Sequence, residues 1–125
     1  MLLNISNHPS SFWSARQRAL AESDYHGVMD ISFPQVDPDA ETSEVEQQAD
    51  QLIKIVLETG NRVNILAIHL MGEMTLTVAL LKRLQAIGFP VLCSTTRRNV
   101  YEEENGNKIS RFEFVKFRIY PNLLQ

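Results

Sequence analysis

Three short polar segments hold most of the residues in this chain that are able to do chemistry. The first is Ser6-Asn7-His8-Pro9-Ser10-Ser11, which sets hydroxyls, an amide and an imidazole directly after an apolar run. An imidazole titrates near neutrality, so His8 can bind or move a proton, and Pro9 stiffens the loop beside it. These residue types are also the ordinary material of turns. The second segment, His69-Leu70-Met71-Gly72-Glu73-Met74-Thr75, leads from the most apolar stretch into a helical one. Gly72 permits a close backbone approach, and free amides at a helix N-terminus can hold a phosphate. Glu73 opposes an anion there while suiting the helix dipole. His69, inside an apolar run, reads as a hydrogen-bonded core histidine. The third segment, Ser94-Thr95-Thr96-Arg97-Arg98, combines three hydroxyls with two guanidiniums. Forked guanidinium donors match phosphate oxygens, which makes this the best anion-binding stretch in the chain. A strand edge decorated with charge has the same composition.

Other chemistries find no support. There is no Walker A loop, no GxGxxG, no GxSxG and no HExxH. His8, His26 and His69 lack metal-ligand spacing, and the single cysteine, Cys93, excludes a disulfide framework and a cysteine zinc site. Neither a metal nor a cofactor is therefore expected. Trp13 reads as helix–sheet packing in preference to base stacking.

The elements that must position these segments follow from periodicity. The 125 residues suffice for one domain, and 44% hydrophobic with 22% charged residues is a globular balance. Met1–Ser6 reads as a strand and Ala15–Ser23 as a helix capped by Ser14. Val28–Phe33 reads as a second strand. A long helix capped by Thr42 or Ser43 then runs to Glu58, with Val45, Ala49, Leu52, Ile53 and Val56 on one face. Val63–Leu70 reads as a strand buried on both faces. Met74–Ile87 reads as a helix closed by Gly88. Pro90–Ser94 is a fourth strand able to continue through Thr95–Glu104. Asn105-Gly106 marks a turn into an alternating strand over Lys108–Tyr120. Strict alternation puts Ile109, Arg111, Glu113, Val115, Phe117 and Ile119 on one face, and Ser110, Phe112, Phe114, Lys116, Arg118 and Tyr120 on the other.

This order predicts a three-layer, Rossmann-like α/β sandwich, with a mostly parallel sheet and a C-terminal β-hairpin. Right-handed crossovers gather the three polar segments, and the Pro-rich Phe33–Asp39, at the carboxyl edge of the sheet, where such folds bind ligands. Net charge is −3, split unevenly: residues 1–60 carry three Lys/Arg against ten Asp/Glu, and residues 61–125 carry nine against five. An acidic chain is a poor partner for long nucleic acid, whose binding needs many phosphate contacts. A local basic site for one small anion stays open. No apolar run is long enough for a membrane span and no secretory signal is seen, so a soluble cytoplasmic domain is expected.

Leu3-Asn4-Ile5-Ser6-Asn7-His8-Pro9-Ser10, His69-Leu70-Met71-Gly72-Glu73-Met74-Thr75 and Ser94-Thr95-Thr96, with the closing Phe114-Val115-Lys116-Phe117-Arg118 strand, resemble small standalone CRISPR-associated Rossmann-fold (CARF-like) proteins. The resemblance implies a single CARF-like domain over 1–125. It also implies a homodimer that binds a cyclic oligoadenylate, the second messenger of type III CRISPR defence, across its two-fold axis. The ligand residues it implies are Ser6, Asn7, His8, Ser10 and Ser11, with Gly72, Glu73, Met74 and Thr75, and Ser94, Thr95, Thr96, Arg97 and Arg98. Some such proteins are ring nucleases, which need no metal and position a ribose 2′-hydroxyl for attack on its phosphate. That chemistry would draw on His8 as acid, on Ser10, Ser11 or Thr75 to position oxygens, and on Arg97 or Arg98 for charge. The alternatives are a module that binds the messenger without cleaving it, and a subunit whose hairpin pairs with another protein.

Overall fold

The computed structural model describes residues 1–124. Its elements run β1 (Leu2–Ser6), a single 3₁₀ turn (Ser10–Phe12), α1 (Ala15–Tyr25), β2 (Val28–Ser32), α2 (Thr42–Gly60), β3 (Ala67–Met71), α3 (Met74–Ile87), β4 (Val91–Glu102) and β5 (Lys108–Ile119). The strands form one sheet in the order β2-β1-β3-β4-β5, parallel except for the antiparallel β4–β5 pair. Helix α1 covers one face, and α2 with α3 cover the other. This is the expected three-layer α/β sandwich. No helix among the described residues is long and apolar enough to cross a membrane.

Local chemistry accounts for most boundaries. Ser14 Oγ accepts the Gln17 N–H at 3.1 Å and opens α1. Gly88, at φ +105°, closes α3. Helix α2 starts one residue earlier than a Thr42 cap would set it and two earlier than a Ser43 cap: Glu41 is the N-cap, and its N–H donates to Glu44 Oε2 at 2.9 Å. Strand β3 begins at Ala67, not Val63. The preceding residues continue the helix end, where Val63 N–H bonds Thr59 O at 2.9 Å, and then tie to the N-terminus, where Leu66 N–H bonds Met1 O at 2.9 Å.

The two faces of the sheet differ in kind. Leu3, Ile5, Ile68, Leu70 and Val91 point toward α2 and α3, and interlock with Val45, Ala49, Leu52, Val56, Leu76, Leu80 and Leu84. Leu2, Ala67 and Leu92 point toward α1, with Trp13 and Ala21. At the centre of that second face, polar residues replace the apolar ones.

The β4–β5 hairpin runs well beyond the core strands, since each of its arms has 12 residues and β1, β2 and β3 have five each. Its register steps from Thr95 opposite Lys116 to Thr96 opposite Phe114, which leaves Val115 as an extra residue in β5. Such a bulge resets the alternation. Phe117 therefore joins Phe112 and Phe114 on the α1 face, and the strict alternation read from the sequence fails at this point. The Phe114 and Phe117 rings stand 5.0 Å apart.

Candidate functional site

Strands β1, β2 and β3 each carry a polar side chain at their third residue: Asn4, Asp30 and His69. The parallel register sets Asn4 directly beside both of the others. A polar rung thus crosses the α1 face of an otherwise apolar sheet. Asn4 is 1% and His69 2% exposed, so each must find partners inside the protein.

Asn4 uses all of its hydrogen-bonding capacity. Its Nδ2 donates to Asp30 Oδ1 at 2.9 Å and to the His8 carbonyl at 3.0 Å. Its Oδ1 accepts the Ser6 hydroxyl at 2.8 Å and lies 2.8 Å from His69 Nδ1. The reversed amide would press an oxygen against the Asp30 carboxylate and the His8 carbonyl, so this orientation is fixed by the network. His69 Nδ1 must then carry the proton. Its Nε2 is left with a lone pair, which accepts the Ser94 hydroxyl at 2.7 Å. Gln17, reaching down from α1, donates its Nε2–H to Ser94 Oγ at 2.9 Å. Burial pushes the His69 imidazole down to about 4, with the neighbouring His8 adding to the effect, so it is neutral at physiological pH.

The first loop wraps this rung. Ser10 donates its hydroxyl to Asp30 Oδ2 at 2.8 Å and its N–H to Oδ1 at 3.1 Å. Trp13 donates its indole N–H to the His8 carbonyl at 3.1 Å, and its ring meets the edge of His69 at 5.1 Å. It is packing, as the sequence suggested, but it also forms a wall. A cavity of about 410 Å³ opens over these groups, lined by His8, Phe12, Trp13, Gln17, His69, Met71, Ser94, Thr96 and Phe112. It lies at the carboxyl edge of β1, β3 and the core part of β4, where doubly wound sheets bind ligands. Phe12 and Phe112 are 83% and 69% exposed, so its rim is two uncovered aromatic rings above a polar floor.

Of the residues singled out from sequence, the cavity gathers His8, Ser94 and Thr96. Ser6 and Ser10 lie beneath it as parts of the network, and their hydroxyls are already committed. Ser11 and Asn7 are exposed, and Asn7 lines a separate groove with Phe33 and Glu73. Gly72 does allow a close approach, but the group that approaches is the Phe33 ring, which a Cβ at this position would overlap. The N-terminus of α3 is filled from within. Glu73 accepts the Thr75 N–H at 3.1 Å, the Leu76 N–H at 2.8 Å and the Thr75 hydroxyl at 2.6 Å, and these bonds hold its carboxyl below the usual range. Met74 and Thr75 line a groove between α2 and α3, away from the cavity.

The third segment is divided by its own backbone. Because β4 runs on to Glu102, Ser94, Thr96 and Arg98 fall on the α1 face while Thr95 and Arg97 fall on the other. Thr95 bonds across the hairpin, donating to the Lys116 carbonyl at 3.1 Å. Arg97 stands opposite Glu113, whereas Arg98 stands opposite Phe112 on the cavity's side and donates to Ser110 Oγ at 3.0 Å. Cys93 is half-buried on β4 and burial pushes its thiol up, as befits an inert strand residue. Among the described residues, no group of three or more His, Cys, Asp or Glu side chains is placed to hold a metal ion. Sequence reading passed over Asn4, Asp30 and Gln17. The shared third position of Leu2-Leu3-Asn4, Val28-Met29-Asp30 and Ala67-Ile68-His69 was the available signal for the first two.

Fold and site together define a doubly wound α/β protein with an aromatic-rimmed polar pocket at the carboxyl edge of its sheet. The chain belongs to the Uncharacterized protein MJ1673 family, whose model matches residues 1–118. Neither the curated proteins nor the solved structures offer a match to it.

Proposed function

We propose that this protein is a cytoplasmic ring nuclease of type III CRISPR defence, which binds a cyclic oligoadenylate and opens it without a metal ion. The observation that carries this reading is the pocket: two exposed phenyl rings over a floor of hydroxyl, imidazole and amide groups. Leaving Phe12 and Phe112 in water is unfavourable, and a stacked purine on an aromatic ring is worth about 1–3 kcal/mol. The floor then meets the hydrogen-bonding edge of a base or the hydroxyls of a ribose. Arg98, beyond Phe112 on the same face, is the guanidinium available to a phosphate. His8, at the pocket, is the candidate acid for the leaving 5′-oxygen. A cavity of about 410 Å³ suits one nucleotide better than a ring of several, so the rest of the ring would meet a second copy across a two-fold axis.

The test is incubation of the purified protein with radiolabelled cyclic tetra- and hexa-adenylate, alongside melting curves and light scattering. A rise in melting temperature, a dimer, and linear products ending in a 2′,3′-cyclic phosphate in excess of the protein are expected. Binding without turnover would leave a sequestering module. A monomer with no thermal shift for either ring would overturn the reading. It would favour an interaction subunit, for which the exposed Val100 and Tyr101 of the long hairpin are the contact surface.

A further inference from the structure

We infer that Ser94 and His69 form a proton-accepting dyad, oriented by Asn4 and Asp30, which removes a proton from a hydroxyl of the ligand held in the pocket. This deepens the ring-nuclease reading and rests on it, because it assigns the base which that chemistry requires. The order of hydrogen bonds allows one direction only. Asp30 fixes the Asn4 amide, Asn4 Oδ1 holds the proton on His69 Nδ1, and the bare Nε2 accepts the Ser94 hydroxyl at 2.7 Å. Ser94 Oγ has two lone pairs, and Gln17 occupies one of them from 2.9 Å. The other is free to accept a hydrogen bond, and Ser94 lines the cavity.

Nucleophile or relay, a hydroxyl is activated by a base that is itself held by a third group, and all three are present here within hydrogen-bond reach. The polar floor also has no stability rationale of its own. Apolar side chains fill the equivalent positions on the opposite face, and a buried amide–imidazole pair is costly unless fully partnered.

In the step itself, the ribose 2′-oxygen forms a bond to phosphorus as its proton passes to Ser94 Oγ and the Ser94 proton passes to His69 Nε2. The bond from phosphorus to the 5′-oxygen breaks with its electron pair on that oxygen, which takes a proton from His8 at the pocket, and His8 regains one from solvent. The products are a 2′,3′-cyclic phosphate and a 5′-hydroxyl. His69 then returns its proton through Ser94 to solvent. Pentacoordinate phosphorus carries extra negative charge, which favours the imidazolium at that moment in a site that disfavours it at rest.

Two measurements decide the matter. Nitrogen-15 spectra of histidine-labelled protein at neutral pH should show His69 as the Nδ1–H tautomer, with its Nε2 resonance displaced in Ser94→Ala. The Nε2–H tautomer would overturn the dyad whatever the ligand. Single-turnover cleavage of cyclic tetra- and hexa-adenylate should fall about 10²–10⁴-fold in Ser94→Ala and in His69→Gln, with affinity within about threefold of wild type. The double variant should be no slower than the slower single one, since the two act as a unit. Ser94→Ala leaves His69 Nε2 and Gln17 Nε2 without their partner and is expected to melt somewhat below wild type while staying folded, which keeps the test valid if His69→Gln folds poorly. Wild-type cleavage by Ser94→Ala would overturn the dyad and leave the ring-nuclease reading standing. A wild-type protein that neither binds nor cleaves would overturn both.

Discussion

The two faces of the central sheet are built from the same five-residue strands and solve opposite problems. Toward α2 and α3, β1 presents Leu3 and Ile5 and β3 presents Ile68 and Leu70, all within 1% of full burial. Toward α1, the alternate residues of the same strands include Asn4, Ser6 and His69, also buried but tied into one hydrogen-bonded rung. Burying an apolar side chain stabilises the fold by about 1.5–3 kcal/mol, whereas a buried polar group merely breaks even when its partners are in place. One face therefore secures the fold, and the other uses part of that stability to hold a hydrogen-bonded polar network next to a cavity.

The contrast is broken most severely by Leu70→Ala. It should cost about 2–5 kcal/mol in urea denaturation while leaving the pocket's ligand affinity unchanged, because the cavity it creates faces the helices. A loss under about 1 kcal/mol would mean that this face is not closely packed.

Acid separates the faces next. The His69 imidazole titrates at about 4 in the folded chain and near 6.5 when unfolded, so the unfolded state takes up a proton that the fold excludes. Its contribution is fully present above pH 6.5 and is lost as pH falls toward about 4, roughly 3 kcal/mol in all. Denaturation midpoints followed from neutral pH into that window should show the slope in wild type and lose it in His69→Gln. An equal slope in both would assign the acid sensitivity elsewhere.

The smallest effect sharpens the same division along the hairpin. Arg98→Ala should weaken cyclic oligoadenylate binding about tenfold, and Arg97→Ala less than about twofold, because alternation sends the two guanidiniums to opposite faces. Equal losses in a binding titration would mean that both faces touch the ligand.

Much of the architecture was legible because it is local. Helical spacing of Val45, Ala49, Leu52 and Val56 located α2, Ser14 and Gly88 punctuated α1 and α3, and Asn105-Gly106 located the hairpin turn, where Gly106 adopts φ +85°. The segments at the sheet's carboxyl edge were equally legible, since strand order dictates which turns share an edge. Their roles were not. Glu73 and Gly72 resemble a phosphate site in sequence, and only the folded chain shows the carboxylate capping its own helix and the Phe33 ring lying on the glycine.

Apart from the start of β3, which falls at Ala67 and not Val63, the sequence by itself determined which residues are helix, which are strand and which are apolar, because those preferences are settled within a few residues of chain. Tertiary structure alone decided which face each hydroxyl and guanidinium occupies. A single extra residue, Val115, moves Phe117 to the α1 face, where its ring stands 5.7 Å from His69. The rung itself joins residues 4, 30, 69 and 94, brought within hydrogen-bond reach by a parallel register that no local preference encodes. Periodicity fixes what a residue is within its own element, while the choice of neighbouring strand fixes whom it meets.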